Sequence, residues 1–543
     1  MGYGQIRCFV QVVVRLFFRH VDTVGTMRIP ESGATIFVAN HANQFVDPMM
    51  LISSVPRVVR FLIAAKSLNR RIIGDFARAL QSIGVERPQD LAKKGSGKIS
   101  AAEGDKVVIG EGTDFQQSLA AGYKIKVRDV DLTVSSVDSD TRCVLSAACP
   151  VPLNGEAYKI FPKVDQNAVY AKVHEALRSG DCIGIFPEGG SHDQASMLDL
   201  KPGVAIMALG AMNSGAGTVQ ICPCGLNYFE PYKFRSRVVV EFGDPIPVPA
   251  ELAEQYKTDK RGAVASLMQN IEHGMKRVMP GAADFKEMQA IITMRALWKP
   301  ADRKLTPEED LLITKRFATS VQRLKSRPEV ATLVADVQAY NDKLQAAGIR
   351  DRDVRKNLPK AGAGRRLIRK AISLLEVILL APLACIFHML FFPVAVITYV
   401  AAMREKRTAL AGSTVKVKAL DVVASQKIKV ALTTVPIYWV LLAVFVVWVF
   451  GFAWWYFPVF MFVVWPALTV LGTRVCDEFW KQLVHSRTNL KTKQSKALLD
   501  ERIDLQARLR TLVEDLAPEI IDNWEEQRVI RADEHTLQLP LLG

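Results

Sequence analysis

Cysteine is scarce in this chain of 543 residues. The 8 cysteines stand at positions 8, 143, 149, 182, 222, 224, 385 and 476, without the density of a disulfide-bonded scaffold or the C-x-x-C spacing of a zinc site. We therefore expect a reduced, cytosol-facing protein with no structural metal. At about 100–200 residues per domain, the length predicts about three structural units and excludes a single small domain.

Charge is absent from residues 430–472, although Lys and Arg outnumber Asp and Glu by 70 to 55 in the whole chain. As one helix this run would be about 64 Å long, whereas one crossing of a bilayer needs about 20 residues, so it predicts two spans. Gly451 and Pro458 mark the expected turn, and the aromatic residues between them suit a membrane interface. A buried helix of a soluble core is the alternative.

A second uncharged run, residues 377–403, is too short for two full spans and contains Pro382 and Pro393. Basic residues flank it on both sides, and the positive-inside rule places both flanks in the cytosol. The sequence therefore predicts a membrane region at 371–472, made of a bent re-entrant element at 377–403 and a two-span hairpin at 430–472. The prolines would mark the turn of the re-entrant element.

The apolar segment at residues 6–21 is not a secretion signal. Arg15 interrupts it, and no small-residue cleavage site follows. Arg7, Arg15 and Arg19 lie roughly on one helical face, which predicts an amphipathic, membrane-associated helix within residues 1–29. A helix that simply docks on the first domain is an equally good interpretation.

Residues 473–543 are expected to form a cytosolic helix and tail. Leucines recur there at intervals of seven, four and three among charged residues, which is typical of an amphipathic helix. Packing on its own domain is favoured, and a homodimer is the alternative.

Residues 30–250 have the pattern of an α/β domain. Short β-branched runs alternate with helix-like stretches at 30–90 and 155–250, which predicts a central β-sheet flanked by helices. Between them, residues 91–152 read as short alternating strands and predict a β-rich insertion. Residues 251–370 predict a charged helical region, and the C-terminal part of the fold is an α-helical membrane region.

The segment FVANHANQFVDPMML carries the first candidate functional residues, His41, Asn43 and Asp47. His41 directly follows a predicted strand, and histidine is suited to proton abstraction near neutral pH. A nearby carboxylate can fix the tautomer of the imidazole. Asp47 before Pro48 is also a good helix N-cap, and the two interpretations are compatible.

Three further segments carry polar groups next to predicted strands. Arg87 could grip a phosphate with two parallel hydrogen bonds, although a surface arginine before a proline is commoner. Glu188 and Gly189 follow the buried strand CIGIF, and a glycine there lets a ligand approach exposed N–H groups. No basic stripe with interleaved aromatic residues occurs outside the membrane flanks, which disfavours a nucleic-acid binder.

Together these segments resemble the glycerolipid acyltransferase family, whose 1-acyl-glycerol-phosphate acyltransferase-like members share four blocks. The likeness is closest to the fungal glycerol-3-phosphate/dihydroxyacetone-phosphate O-acyltransferases of the endoplasmic reticulum. One departure is that five residues separate His41 from Asp47, where the family has four, and a helix turns about 100° per residue. The blocks are Asn40-His41 with Asp47, Gly84 with Arg87, Phe186-Pro187-Glu188-Gly189, and Ile221-Cys222-Pro223.

The resemblance implies an endoplasmic-reticulum membrane enzyme, with its catalytic domain facing the cytosol. It would move a fatty acyl group from acyl-CoA, as co-substrate, to the 1-hydroxyl of glycerol 3-phosphate or dihydroxyacetone phosphate, without another cofactor. A lysophosphatidate acyltransferase and a non-catalytic lipid-binding scaffold are the alternatives. The implied site consists of His41 as general base and Asp47 as its orienting carboxylate, with Arg87, Glu188, Gly189, Lys66, Asn43 and Lys201 as substrate-binding residues.

Overall fold

The structure, a computed structural model, describes most of the chain. The exceptions are residues 1, 70–72, 87, 165, 195, 280, 282–284, 301–302, 304, 348–350, 352–353, 355–362, 413–414, 491 and 531–543. The strands are β1 (His20–Val24), β2 (Thr35–Ala39), β3 (Val59–Ala64), β4 (Ile83–Val85), β5 (Lys93–Lys94), β6 (Lys98–Ala101), β7 (Val107–Glu111), β8 (Lys124–Val127), β9 (Val130–Ser139), β10 (Arg142–Leu145), β11 (Leu153–Glu156), β12 (Lys159–Phe161), β13 (Cys182–Ile185), β14 (Gln220–Tyr228), β15 (Arg237–Phe242) and β16 (Ile246–Pro247).

The α-helices follow the same chain order. They are α1 (Tyr3–Phe17), α2 (Val46–Ser54), α3 (Ala65–Leu68), α4 (Ile73–Ala79), α5 (Phe115–Ser118), α6 (Asn167–Arg178), α7 (Gly203–Asn213), α8 (Ala250–Thr258), α9 (Lys260–Val278), α10 (Phe285–Trp298), α11 (Pro307–Leu324), α12 (Pro328–Ala347), α13 (Ala363–Ala411), α14 (Val423–Phe450), α15 (Phe457–Val459), α16 (Trp465–Leu490), α17 (Thr492–Ile520) and α18 (Trp524–Gln527).

A mixed sheet organises the first part of the chain, in the order β1-β15-β14-β2-β13-β3-β4 with β16 beside β14. The central strand β2 is buried along its whole length, as expected for a strand covered on both faces. Helices α1 and α2 pack on one face, and α6, α7 and α9 pack on the other. The predicted α/β fold with a central sheet flanked by helices is confirmed.

Strands β14, β2, β13, β3 and β4 run parallel to one another, so their C-terminal ends lie at the same edge of the sheet. His41 follows β2, and Glu188 follows β13. In open α/β sheets, ligands bind outside the C-terminal ends of the strands. The fold therefore brings two of the sequence motifs together at the edge where a site is expected.

The segment expected to be a β-rich insertion contains β5 to β12. These strands form a separate eight-stranded sheet whose described pairings are antiparallel. It has its own core around Val108, Phe115, Ile125 and Tyr158. The strands continue to Phe161, nine residues past the expected boundary.

Helices α10, α11, α12 and α17 pack around a further apolar core. Leucines Leu498, Leu505 and Leu509 of α17 are buried in it, so the amphipathic C-terminal helix packs on its own chain, as favoured from its leucine spacing. Helix α11 also joins this helical part to the mixed sheet, because Arg237 of β15 bonds Asp310 Oδ2 at 2.7 Å.

The membrane region differs from the prediction. Residues 377–403 do not turn at Pro382 and Pro393 but lie within the single helix α13. The predicted bent element is wrong in shape, because a proline removes one hydrogen bond, whereas a turn in an apolar environment would leave several backbone groups without partners. In the part of the chain that is described, Leu374–Ala411, Val423–Phe450 and Trp454–Trp480 are long and apolar enough to cross a membrane.

The N-terminal segment also differs. Helix α1 ends at Phe17, and the next residues form β1, paired in parallel with β15, so residues 1–29 are not one interfacial helix. Ile6, Val10 and Val14 are buried against the domain. The buried residues recur every four positions and therefore lie on one side of the helix. This agrees with the alternative interpretation, in which α1 docks on the first domain.

Candidate functional site

His41 and Asp47 form a hydrogen-bonded pair beyond the end of β2. His41 Nδ1 lies 2.8 Å from Asp47 Oδ2, and the Asp47 side chain is fully buried. A carboxylate accepts hydrogen bonds, so in the neutral imidazole Nδ1 carries the proton and Nε2 has the lone pair. The predicted pairing of the two residues is confirmed, and the arrangement presents a basic nitrogen.

The turn between the two residues accommodates the additional residue. Gln44 has a φ of 32°, in the left-handed region, and Val46 N donates to Asn43 O at 2.8 Å. Helix α2 begins at Val46, so Asp47 lies in its first turn and is not the N-cap. Its Oδ2 also accepts Asn43 N–H at 2.7 Å, so the carboxylate closes the turn that presents His41.

Tyr228 of β14 supplies the other oxygen of Asp47 with a donor. Its hydroxyl bonds Asp47 Oδ1 at 2.6 Å. Burial, followed by the charge of Asp47, raises the pKa of Tyr228 well above 10.0, so the phenol stays protonated as a donor. Asp47 thus has a donor on both oxygens, as a buried carboxylate requires.

Glu188 is buried and bonded on both carboxylate oxygens. Oε1 accepts the backbone N–H of His41 at 2.9 Å, and Oε2 accepts Leu198 N–H at 3.3 Å. His192 Nε2 also bonds Oε2, and His192 N–H donates to His41 O at 3.1 Å. The Glu188 carboxylate thus links the loop after β13 to the backbone of His41. Few of its hydrogen-bonding positions therefore remain for a substrate.

The His41 ring lies against Phe186, the residue before Pro187. The two ring centroids are 4.4 Å apart and the planes are inclined by 15°. Because a ring with Nδ1 bonded and one face stacked has little freedom to rotate, Nε2 has a fixed direction. The side chain of His41 retains 18% of its exposure, which leaves a path to it.

The other predicted site residues differ in accessibility. Asn43 is fully buried: its Nδ2 donates to Pro231 O at 3.0 Å, and its Oδ1 has no partner among the described residues. Gly189 has a φ of 77°, and its N–H donates to Phe186 O at 3.1 Å. The Lys201 side chain lies against Gly189, Lys66 is exposed on α3, and Arg87 lies outside the described residues.

Three functional neighbours carried no sequence signal. Tyr228 lies 181 residues from Asp47 in a segment without a motif, and Ser425, which bonds the turn after His41, lies 382 residues from Asn43. His192 is near Glu188 in sequence, but only the fold shows that it faces the carboxylate. Sequence spacing cannot reveal such contacts, because they depend on which strands and helices become neighbours.

Two family models match the chain. One, described as Acyltransferase, matches residues 20–119 and 158–227. The other, described as Glycerol-3-phosphate acyltransferase 2 C-terminal domain, matches residues 290–521. The gap in the first match falls within the eight-stranded insertion.

Three curated proteins are similar over most of the chain. Glycerol-3-phosphate O-acyltransferase 1 of Saccharomyces cerevisiae is 37% identical over 454 residues, which is 80% of this chain and 60% of that protein. An uncharacterized acyltransferase of Schizosaccharomyces pombe is 33% identical over 97% of this chain and 83% of its own length. Glycerol-3-phosphate O-acyltransferase 2 of Saccharomyces cerevisiae is 31% identical over 79% of this chain and 63% of its own length. The chain thus spans about 60% of the length of the two Saccharomyces proteins.

One solved structure is also similar, the 1-acyl-sn-glycerophosphate (LPA) acyltransferase PlsC from Thermotoga maritima. It is 12% identical and aligns with 51% of this chain and 79% of its own, with a TM-score of 0.29. A likeness at this level supports no conclusion about the site.

Proposed function

The chain belongs to the acyltransferase family, and from that premise we propose that it transfers a fatty acyl group from acyl-CoA to the 1-hydroxyl of glycerol 3-phosphate. Two of its relatives carry the name glycerol-3-phosphate O-acyltransferase. Dihydroxyacetone phosphate, which offers the same hydroxyl and phosphate, is proposed as a second acceptor. The product would enter glycerolipid synthesis.

His41 is the general base of the proposed reaction. Its Nε2 takes the proton of the acceptor hydroxyl as that oxygen attacks the thioester carbonyl. The tetrahedral intermediate then expels the CoA thiolate, the C–S bond breaks, and the imidazolium returns the proton to the sulfur. An acyl-enzyme is not needed, because the acceptor attacks the thioester directly.

Asp47 stabilises the imidazolium that forms during the attack. The carboxylate is already bonded to Nδ1, so positive charge on the ring is favoured where it develops. Tyr228 and Asn43 N–H hold the carboxylate in place, and therefore little reorganisation is needed. The hydrogen-bonded His41–Asp47 pair is the observation that carries this proposal.

The oxyanion of the intermediate needs N–H donors close to the thioester. The N–H of Gly189 is already bonded to Phe186 O. Gly190 follows it on the surface of the same loop, and its N–H has no partner among the described residues. We assign the donor role to Gly190 rather than to Gly189.

We assign the acceptor phosphate to basic residues that follow the parallel strands in the sequence or lie near the glycine loop. Arg87 follows β4, whose C-terminal end lies on the edge that carries His41. Lys201 lies against the glycine loop, and Lys66 is an exposed alternative. Glu188 receives a positioning role in place of acceptor binding, because its oxygens are bonded within the protein.

The membrane arrangement follows from which side each segment contacts. Asp310 of α11 contacts Arg237 before α13 begins, and Asp193 accepts the N–H groups of Val417 and Lys418 after α13 ends. The segment after α13 is therefore tied to the catalytic side. We propose that the hairpin of α14 and α16 crosses the endoplasmic-reticulum membrane, with the catalytic domain on its cytosolic side. Helix α13 packs alongside α14, since Tyr438 of α14 donates its hydroxyl to Leu390 O of α13 at 2.6 Å.

The test is an acceptor panel with purified full-length protein and labelled acyl-CoA. We expect transfer to glycerol 3-phosphate and dihydroxyacetone phosphate, loss of transfer in His41→Ala, and little effect of replacing His273, a histidine remote from the site on α9. Activity on lysophosphatidate alone would support the lysophosphatidate acyltransferase alternative. Lipid binding without transfer, unchanged in His41→Ala, would support the scaffold alternative.

Arg87→Ala separates phosphate recognition from chemistry. The variant should raise the Michaelis constant for glycerol 3-phosphate much more than that for acyl-CoA, because only the acceptor would contact this arginine. Equal effects on both constants would count against the assignment of Arg87.

A further inference from the structure

The first turn of α14 lies against the turn that carries His41 and Asp47. Ser425 is fully buried, and its hydroxyl donates to Asn43 O at 2.9 Å. The Ser425 hydroxyl oxygen also accepts Val46 N–H at 3.3 Å. Since Val46 N–H also donates to Asn43 O, Ser425 bridges both ends of the four-residue turn from Asn43 to Val46.

This turn determines where Asp47 lies relative to His41. Asn43 N–H bonds the same Asp47 oxygen that accepts from His41 Nδ1. Gln44, inside the turn, adopts a left-handed φ of 32°, which is unfavourable for a residue with a side chain. A strained conformation of this kind persists only where its surroundings hold it, and Ser425 is part of those surroundings.

The loop before Ser425 is hydrogen-bonded to the loop that follows β13 and Glu188. The Asp193 carboxylate accepts N–H groups from Val417 and Lys418 at 2.8 Å each. Ser191 donates to the buried Asp421 at 2.6 Å, and Lys416 also pairs with Asp421. We name residues 415–425 the docking segment; it contacts both the turn after His41 and the loop after Glu188.

From this geometry we infer that Ser425 is a positioning residue for the His41–Asp47 pair, supplied to the active site by an apolar helix of the membrane region. Ser425 does not touch the reacting atoms, but acts through Asn43 and Val46. The inference rests on the proposed function, since it assigns His41 a catalytic role. It predicts that the α/β unit is catalytically complete only with the docking segment in place.

The main experiment compares Ser425→Ala with Ser425→Thr in full-length protein in lipid vesicles. Ser425→Ala should lower kcat about ten-fold or more with little change in either Michaelis constant, since misplacement by about 1 Å in an active site can cost about 100-fold. Ser425→Thr retains a hydroxyl and should keep more of the rate. Thr434→Val is the matched control, because that hydroxyl bonds only Val430 O within the same helix.

The pH profile distinguishes positioning from a merely structural role. If Ser425→Ala loosens the bond between His41 and Asp47, the acid limb of kcat should move to lower pH, in the same direction as in Asp47→Asn. The reason is that an imidazolium without its carboxylate partner is less favoured. An unchanged kcat, or a lower kcat with an unmoved acid limb, overturns the inference.

A chemical readout keeps the inference separate from the proposed function. Carbethoxylation of His41, followed by mass spectrometry, reports the nucleophilicity of the imidazole without any substrate. Ser425→Ala should slow this modification in the same direction as Asp47→Asn, and Thr434→Val should not. Absence of acyl transfer by the wild type would refute the proposed function alone, whereas equal modification rates in wild type and Ser425→Ala would refute the role of Ser425.

Discussion

Tyr228 donates its hydroxyl to Asp47 Oδ1 at 2.6 Å, across 181 residues of sequence. The contact exists because β14, which ends at Tyr228, pairs in parallel with β2, which leads to His41. A neutral donor in this position satisfies the buried carboxylate without competing with His41 for its other oxygen. The His41–Asp47 pair is therefore held from two strands of the central sheet.

Tyr228→Phe removes this donor without changing the ring. Hydrogen bonds to buried charged groups contribute about 1.5–3 kcal/mol, so we expect a lower melting temperature together with a several-fold lower kcat. Differential scanning fluorimetry and steady-state kinetics in detergent would measure both effects. Tyr123→Phe in the insertion is a suitable control, and equal behaviour of the two variants would contradict the role of Tyr228.

The protonation of Tyr228 predicts how this contribution depends on pH. Burial and then the Asp47 charge raise the pKa of Tyr228 well above its unfolded value of 10.0. A raised pKa means that the stabilisation is complete below the unfolded value and is lost only as the pH rises through the folded one. The difference in melting temperature between wild type and Tyr228→Phe should thus stay constant from about pH 6 to about pH 9. A difference that shrinks over this interval would show that the phenol ionises earlier.

Glu188 variants test whether this carboxylate binds substrate or holds the site. Glu188→Ala would leave the N–H groups of His41 and Leu198 without an acceptor, so we expect a large loss of kcat and stability with little change in the Michaelis constant for glycerol 3-phosphate. Asp199→Asn, an exposed carboxylate on the same loop, should be nearly neutral. A selective rise of the acceptor Michaelis constant would instead indicate direct contact with the acceptor.

Two adjacent glycines provide a matched test of the loop after β13. Gly189 has a φ of 77°, and an added Cβ would meet the Lys201 side chain, whereas a Cβ on Gly190 would meet nothing within 4 Å. Gly189→Ala should therefore cost about 1–2 kcal/mol of stability and displace Lys201, while Gly190→Ala should leave stability close to that of the wild type. Chemical denaturation of both variants would measure this, and equal stabilities would contradict the argument.

The local sequence indicated the His41–Asp47 pair, but it did not indicate the residues that hold this pair in position. His41 and Asp47 are six residues apart and close one turn, so the chemistry of the two residues and the family resemblance indicated the pair although its spacing departs from the family pattern. Tyr228 and Ser425 reach the same turn from elements that become neighbours only in the folded chain. The two prolines of α13 predicted a turn that the structure does not have. The free energy lost with one helical hydrogen bond at a proline is smaller than that lost when a turn leaves several backbone groups without partners in an apolar environment.

The last prediction concerns the side of the membrane on which each loop lies. Before α13, residue 354 is buried in the helical part that α11 ties to the sheet, and after α13 the docking segment contacts the catalytic loops. Residues 355–370, which lead into α13 in the sequence, include seven Lys or Arg residues. Each such charge costs about 2.5–3.5 kcal/mol at the bilayer centre, so this basic segment is expected to stay outside the hydrocarbon.

Glycosylation mapping in microsomes checks this arrangement. An acceptor site inserted with a spacer between Gly412 and Val415 should stay unmodified, because the proposed arrangement keeps the adjoining docking segment on the cytosolic side. The same cassette inserted after Gly451, at the turn between α14 and α16, should be modified if this hairpin alone crosses the membrane. A glycan at the first position would mean that α13 crosses, and it would also mean that the docking segment and the catalytic loops do not share one side. Transfer activity of each insertion variant shows that the protein remains folded, so an unmodified site reports topology and not misfolding.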